Sequence, residues 1–314
     1  MEKEPILPSQ KINLAEFAQN PRDLMKEADR LHIQVARTAI LSRGLEGAMQ
    51  YGPMFLSFWA YRIRGADRAR ALKSSYFWLR HVDDIADKDK PLPYGYSSRR
   101  IFLLEKRELA KAIMEGTTDV SGDREDILLM DFASATRKLG IDLSQETLAI
   151  LDTIIFDEER TRTGRVPTRA ELDNYFDKLD FACVEGGLRL AGENYDRQGV
   201  ADITLAVRTM FNLRDLTKDL KVGIINIPSE DIESYGIDLD ICRNASSLSE
   251  LLRYDAIRRW YQDQVSTCSS HMERAEKTLS TIQLKPEVRF ALSFNSKRVV
   301  KNKLRKFNRL LATY

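Results

Sequence analysis

Two short acidic signatures carry the residues most able to do chemistry, Asp83-Asp84-Ile85-Ala86-Asp87 and Asp215-Leu216-Thr217-Lys218-Asp219. Each sets two carboxylates four positions apart. On an α-helix that spacing stacks Asp83 over Asp87, and Asp215 over Asp219, about one turn apart on the same face. If the two faces meet across a helical core, four or five carboxylates line one cavity and repel one another unless cations sit between them. Hard divalent cations such as Mg2+ suit carboxylate oxygens and complete their shell with water and phosphate oxygens. The expected cofactor is therefore Mg2+, and the expected substrate a diphosphate.

The flanks bear on that expectation. Arg80 lies three residues before Asp83 and shares its face, where a guanidinium could hold a carboxylate or grip a phosphate bidentately. Tyr76, Phe77, Trp78, Leu79 and Val82 make the surrounding helix aromatic and core-facing, and clustered acids on a buried helix require cations. Around the second signature, Met210, Phe211, Leu213, Leu216 and Leu220 are apolar, while Lys218 and Lys221 offer cations to phosphate oxygens. The ordinary explanation of one such motif is a solvated, salt-bridged helix face. Two of them, each at a helix end and each followed by a proline-containing loop, make coincidence a weaker explanation.

The elements that must position these residues are helices. Apolar residues recur at three and four spacing and alternating runs are scarce, which predicts an all-α fold. Helices are expected near residues 22–50, 66–87, 97–115, 124–139, 144–162, 168–191, 198–221, 247–280 and 286–312. Pro91 and Pro93 end the first motif's helix, and Gly223 followed by Pro228 ends the second's. Other breaks fall at Thr117 to Asp123, around Gly164 to Pro167, and at Gly192. None is long enough to be a linker. The reading is one domain over residues 21–314, behind a polar leader of residues 1–20.

Composition narrows the partners. The 49 basic and 47 acidic residues leave a net charge of +2, so no global field argues for nucleic acid. Cys183, Cys242 and Cys268 are far apart with no Cys-x-x-Cys pair, and His32, His81 and His271 show no ligand spacing. Disulfide frameworks and structural zinc are thereby disfavoured and a reducing cytoplasm favoured. The N-terminus lacks the apolar or arginine-rich character of a targeting segment, and no apolar run approaches ~20 residues. The C-terminal helix carries Val300, Leu304, Phe307 and Leu311 on one stripe, ringed by Lys297, Arg298, Lys301, Lys303, Arg305, Lys306 and Arg309. Packing that stripe into the domain is the favoured reading, with peripheral contact to an anionic membrane as its alternative.

At this level of detail the chain resembles the squalene/phytoene synthase family. Tyr76, Trp78, Arg80, Asp83, Asp84 and Asp87 follow the order of that family's first aspartate-rich segment. Arg214, Asp215, Asp219, Gly223 and Pro228 resemble the second. Between them, Asp157 to Arg160, Thr168, Glu171, Leu172 and Tyr175 resemble the middle helices, and Val184-Glu185-Gly186-Gly187 loosely matches a Val-Ala-Gly turn. The likeness runs in order over roughly residues 50–230. It implies an all-α isoprenoid-synthase fold with helices around a central cavity. It also implies substrate diphosphates held through Mg2+ by both motifs, which would face each other, and head-to-head condensation of two prenyl diphosphates such as farnesyl or geranylgeranyl diphosphate.

On that reading Asp83, Asp87, Asp215 and Asp219 carry the metal, with Asp84 as helper. Arg62, Tyr76, Arg80, Arg214, Lys218 and Lys221 are candidates for the substrate, Arg62 being placed near the family's Ser-Phe segment by Phe55 to Tyr61. No dinucleotide-fold signature is present, so use of NADPH stays open, as does the choice between monomer and homodimer. The second segment departs from the family's habit. Phe211 stands where asparagine is usual, Lys218 where an acid commonly precedes the second aspartate, and Ile224 and Asn226 where arginine and tyrosine follow the glycine. These departures bear on later steps more than on metal binding. They leave a squalene- or phytoene-like product, a presqualene-type synthase and a terpene cyclase as alternatives. A non-catalytic assembly factor is disfavoured by the intact acids, because a scaffold has no reason to keep buried like charges.

Overall fold

Apolar residues at helical spacing form helices along most of the described chain, and the all-α expectation holds. The computed structural model describes residues 11–35, 58, 61–193, 197–294 and 299–314. The chain divides into two compact units, Met1–Glu158 with Arg189–Gly192, and Glu159–Leu188 with Glu193–Tyr314.

The first unit opens on a two-residue strand, β1 (Ile12–Asn13), paired antiparallel with β2 (Ser121–Gly122), Ile12 opposite Gly122. Leu14 follows at 0% exposure, so the expected leader enters the core within its second half; residues 1–10 lie outside the described residues. Then come α1 (Ala15–Gln19), α2 (residues 21–35), α3 (Ala66–Ala86), α4 (Arg99–Met114), α5 (Asp126–Lys138) and α6 (Ser144–Thr163). The expected continuation of α2 to residue 50 lies outside the described residues. Phe77, Trp78, Val82 and Ile85 of α3 are buried with Phe102 and Leu103 of α4 and Ile127, Leu128 and Leu129 of α5.

Two buried polar networks fix α3 in that core. In one, Trp78 Nε1 donates to Asp126 Oδ1 at 2.9 Å, and Lys106 Nζ donates both to Asp126 and, at 2.7 Å, to Asp123 Oδ2. Lys106, Asp123 and Asp126 are all buried. Burying one cation with two carboxylates is tolerable only because each group is paired and the indole supplies a further donor. Gly122 is required here, since a β-carbon would stand 2.6 Å from Asp126 Oδ2. In the other network, Ser74 Oγ donates to Asp131 Oδ2 at 2.5 Å and Arg70 Nε donates to Asp131 Oδ1 at 2.6 Å. Ser74 has then spent its proton, so His32 Nε2, 2.9 Å away, is the donor to Ser74 Oγ. Burial holds the His32 imidazole neutral, its pKa lowered to about 4.

The second unit holds α7 (Arg169–Asp180), a π-turn at Phe181–Glu185, α8 (Gly186–Ala191, ending in the first unit), α9 (Ala201–Val222), α10 (Ser229–Tyr235), α11 (Leu239–Asn244), α12 (Leu248–Leu251), α13 (Asp255–Thr281), α14 (Pro286–Phe294) and α15 (Lys301–Leu311). Helices α9 and α13 pack along their lengths, burying Met210, Leu213 and Leu216 with Tyr261, Val265 and Met272. Val300, Leu304 and Phe307 are buried and the Phe307 ring meets Tyr261 edge-on at 5.6 Å, so the apolar stripe of α15 is used in packing. Lys297 and Arg298 lie outside the described residues.

Three expected helices differ in detail. The one expected at 247–280 is broken between α12 and α13, where the chain turns tightly: Arg253 N–H donates to Glu250 O at 3.1 Å and Tyr254 N–H to Leu251 O at 3.2 Å before α13 begins. The one expected at 168–191 contains the π-turn, at the segment read as Val-Ala-Gly-like. The one expected at 286–312 comprises α14 and α15, which the undescribed residues 295–298 separate. Helices α10 and α11 were not expected. Glu230 and Asp231 fill the first turn of α10 and left-handed Gly236 (φ 69°) ends it, while the Asp238 side chain caps α11.

Candidate functional site

The first aspartate motif occupies the last turn of α3, and the second spans the last two turns of α9, with Asp219 in the final one. The N–H of Asp87, just past the end of α3, reaches Asp83 O at 2.8 Å, Lys88 takes the left-handed conformation (φ 67°), and Lys90 N–H returns to Asp84 O at 2.9 Å. Arg99 Nε closes the end by donating to Ile85 O at 2.8 Å. In α9, Gly223 (φ 87°) ends the helix and Ile224 N–H donates to Asp219 O at 2.8 Å. Carboxylates in a helix's last turn meet the negative end of its dipole, costing about 0.3–1 kcal/mol each near the surface. Acids concentrated where the backbone disfavours them are a mark of function rather than of folding.

In the first motif Arg80 ties the acids together. Its Nη1 donates to Asp83 Oδ2 at 3.0 Å, its Nη2 pairs with Asp84, and Asp89 lies 3.7 Å away. Lys90 Nζ reaches Asp84 Oδ2 at 3.0 Å. Asp83 keeps 35% of its side-chain surface open, whereas Asp84 is mostly covered and Asp87 is exposed. Burial pushes the Asp83 carboxyl up to about 7, with Asp87 adding to the effect, Arg80 opposing it, and Asp84 and Asp157 adding further. A carboxylate so crowded calls for a proton or a cation. Tyr76 stacks edge-on with Phe77 at 5.5 Å and Phe58 at 6.0 Å, which makes it part of an aromatic cluster.

The second motif is arranged differently. Arg214 grips its own neighbour Asp215 in a two-point pair, Nε to Oδ1 at 2.8 Å with Nη2 on Oδ2, and lies 4.4 Å over the Phe211 ring. Phe211 therefore serves as a platform for Arg214. Asp219 Oδ2 accepts from Asn226 Nδ2 at 3.3 Å, and Asn226 Oδ1 accepts from Arg160 Nη1 at 2.9 Å. Lys218 is exposed, and Lys221 is exposed with its Nζ 3.3 Å from Ser246 O. Arg62, in the helical segment 61–64, is exposed as well.

Sequence reasoning did not single out Asp157 as a neighbour of Asp83, Asn226 as a partner of Asp219, or Lys303. Burial lowers the Lys303 ammonium, as do the charges of Lys306 and Arg214, while Asp215 opposes, so α15 brings a lysine to the second motif. Asn226 was visible only as a departure from the family pattern, and nothing in the sequence near Lys303 distinguished it from other lysines of a basic helix.

The donor set around Asp83 is all hard oxygen, with Asp84, Asp87 and Asp157 as the charged neighbours, which fits Mg2+ and not a softer metal. Among the described residues no three acidic, histidine or cysteine side chains enclose an ion position by themselves. Also among the described residues, no helix is long and apolar enough to cross a membrane.

Comparison with known proteins places this geometry in context. The sequence matches the squalene/phytoene synthase family over residues 57–306. A presqualene diphosphate synthase of Rhodopseudomonas palustris is 27% identical over 182 residues, 57% of this chain and 60% of that protein. A presqualene diphosphate synthase of Sinorhizobium fredii is 26% identical over 170 residues, 53% of this chain and 56% of that protein. The matched stretch thus spans less than two thirds of either relative. The crystal structure of squalene synthase HpnC from Alicyclobacillus acidocaldarius shares the fold, with a TM-score of 0.62 at 16% identity over 95% of this chain and 96% of that one. With the family match covering most of its length, the chain belongs to the squalene/phytoene synthase family.

Proposed function

We propose that this protein is a Mg2+-dependent prenyltransferase that condenses two prenyl diphosphates head-to-head. The observation that carries the reading is the grouping of Asp83, Asp84 and Asp87 at the end of α3 around Arg80, where burial, with Asp87 adding to it, pushes the Asp83 carboxyl up to about 7. Family membership supplies the class of substrate. Asp83, Asp87, Asp215 and Asp219, with Asp84 as helper, are the proposed carriers of Mg2+. When bound, the metal supplies Lewis-acid stabilisation of charge developing on a leaving diphosphate.

The remaining work falls to the chain itself. Arg80 and Lys90 hold the acids of the first motif in place, and Arg214 holds Asp215. Exposed Lys218 and Lys221, with Arg62, are the cations proposed to meet diphosphate oxygens. As the allylic C–O bond of one substrate breaks, the electron pair leaves with diphosphate. The resulting allylic cation is then attacked by the double bond of the second substrate, shielded from water by apolar and aromatic side chains.

A second reading concerns where the reaction stops. Two relatives bear the name presqualene diphosphate synthase, and Ile224 and Asn226 depart from the family's usual arginine and tyrosine. Both observations favour a product that retains the cyclopropyl diphosphate. Incubation with Mg2+ and farnesyl or geranylgeranyl diphosphate, with and without NADPH, tests the two together. Diphosphate release with a linear head-to-head hydrocarbon supports the first reading and a cyclopropyl diphosphate the second. A monocyclic product would point to a cyclase, and no release from either substrate would rule out the enzyme.

A further inference from the structure

We infer that Asn226 is a positioning residue for Asp219, locked in place by the buried guanidinium of Arg160. The inference rests on the reading of Asp219 as a metal carrier. Ile225 and Ile227 are both fully buried, so the loop between Gly223 and Pro228 is anchored on either side of Asn226, which is itself half-buried. Its amide then bridges two groups of opposite demand. Nδ2 donates to Asp219 Oδ2 at 3.3 Å and Oδ1 accepts from Arg160 Nη1 at 2.9 Å. The reverse orientation would set oxygen against carboxylate and NH2 against guanidinium, so the network admits only one.

Arg160 is itself immobilised. It is 1% exposed, its Nη1 also donates to Ile225 O at 3.1 Å, and its guanidinium lies 5.1 Å over the Tyr175 ring. A rigid cation therefore holds a neutral amide, and the amide holds the carboxylate. The intermediary matters for charge. The amide is neutral, so it orients Asp219 without itself setting a formal positive charge against the carboxylate. Partners of this kind commonly change metal affinity by about 10- to 100-fold when removed. Asn226 takes this role at the position where the family's usual tyrosine would stand, so the device belongs to this chain.

The test is a Mn2+ titration of the full-length protein, read by electron paramagnetic resonance in the presence of inorganic diphosphate. Wild type is compared with Asn226→Ala, Asn226→Leu and Asp219→Asn, with metal-free thermal melting measured for each. Asn226→Leu keeps the bulk and removes both hydrogen bonds, which guards against a packing artefact in Asn226→Ala. Both Asn226 variants should weaken Mn2+ binding by about tenfold or more while melting within a few degrees of wild type. If they bind Mn2+ as wild type does and Asp219→Asn does not, Asn226 has no positioning role and the metal reading stands. If Asp219→Asn also binds normally, Asp219 is no metal carrier and the inference falls with that reading.

Discussion

Trp78 and Asp126 meet at 2.9 Å, indole Nε1 donating to carboxylate Oδ1, and this bond joins the helix of the first aspartate motif to α5. At about 100° per residue, Asp83 lies roughly 140° around α3 from Trp78 and Asp87 roughly 180°. Holding the indole in the core therefore turns the aspartates away from it. Lys106 stabilises the arrangement by pairing with Asp126 and Asp123 where all three are buried.

Removing the cation from this cluster should be costly. Lys106→Met leaves two buried carboxylates without their counter-charge and is expected to lower stability by about 3–5 kcal/mol. Trp78→Phe removes one donor from buried Asp126 and should cost about 1–3 kcal/mol. Urea denaturation of both variants measures the difference, and equal losses would show that the ion cluster does not dominate.

Asp83→Ala and Asp215→Ala should each reduce turnover by on the order of a hundredfold or more, since each takes away charge that supports the leaving diphosphate. Neither should lower metal-free melting appreciably, because Asp83 is crowded by like charge and Asp215 is about one third exposed. Steady-state kinetics with melting curves provide the check. Near-normal turnover in either variant would remove that residue from the site.

Acid should destabilise the protein in a defined window. Burial, helped by Lys73 and Arg70 and opposed by Asp29, lowers His32 to about 4 in the folded state, against 6.5 ordinarily. Between those values the unfolded chain binds more protons than the native one, so stability present above pH 6.5 is lost as pH falls towards 4. The slope contributed by one histidine is at most about 1.4 kcal/mol per pH unit. His81, also lowered to about 4 by burial, acts with the same sign. His32→Gln should flatten the dependence of urea stability on pH in this window, and an unchanged slope would contradict the assignment.

Lys88 occupies the left-handed region at φ 67°, where a β-carbon is strained and glycine is not. Lys88→Gly should therefore raise stability by about 0.5–1 kcal/mol, the strain relieved being partly offset by glycine's greater freedom when unfolded. A fall in melting temperature would mean that the lysine side chain contributes more than the strain costs.

Several features were legible in the sequence because they depend only on local spacing. The three-four periodicity around Phe77, Trp78 and Val82 announced α3, and the prolines and Gly223 announced the ends of both motif helices. Helix α10 was missed because Pro228 reads equally well as a stop and as the start of the next helix. The break after Leu251 was missed because Leu252-Arg253-Tyr254 contains no glycine or proline to announce a turn. The partner of Asp219 was out of reach for a different reason. Asn226 and Arg160 are 66 residues apart, and no local pattern distinguishes a bridging amide from a loop asparagine.

The sequence by itself determined the fold class, the helix ends and the two carboxylate pairs, since helical periodicity, proline geometry and the i, i+4 relation are properties of the chain over a few residues. Only the tertiary structure decided which charges those carboxylates meet. It set the charge of Asp157 near Asp83, tied the asparagine that meets Asp219 to Arg160, and brought Lys106 to the buried acids that orient α3. Burial and charge pairing are sums over atoms brought together from distant parts of the chain, so they exist only once the core has formed.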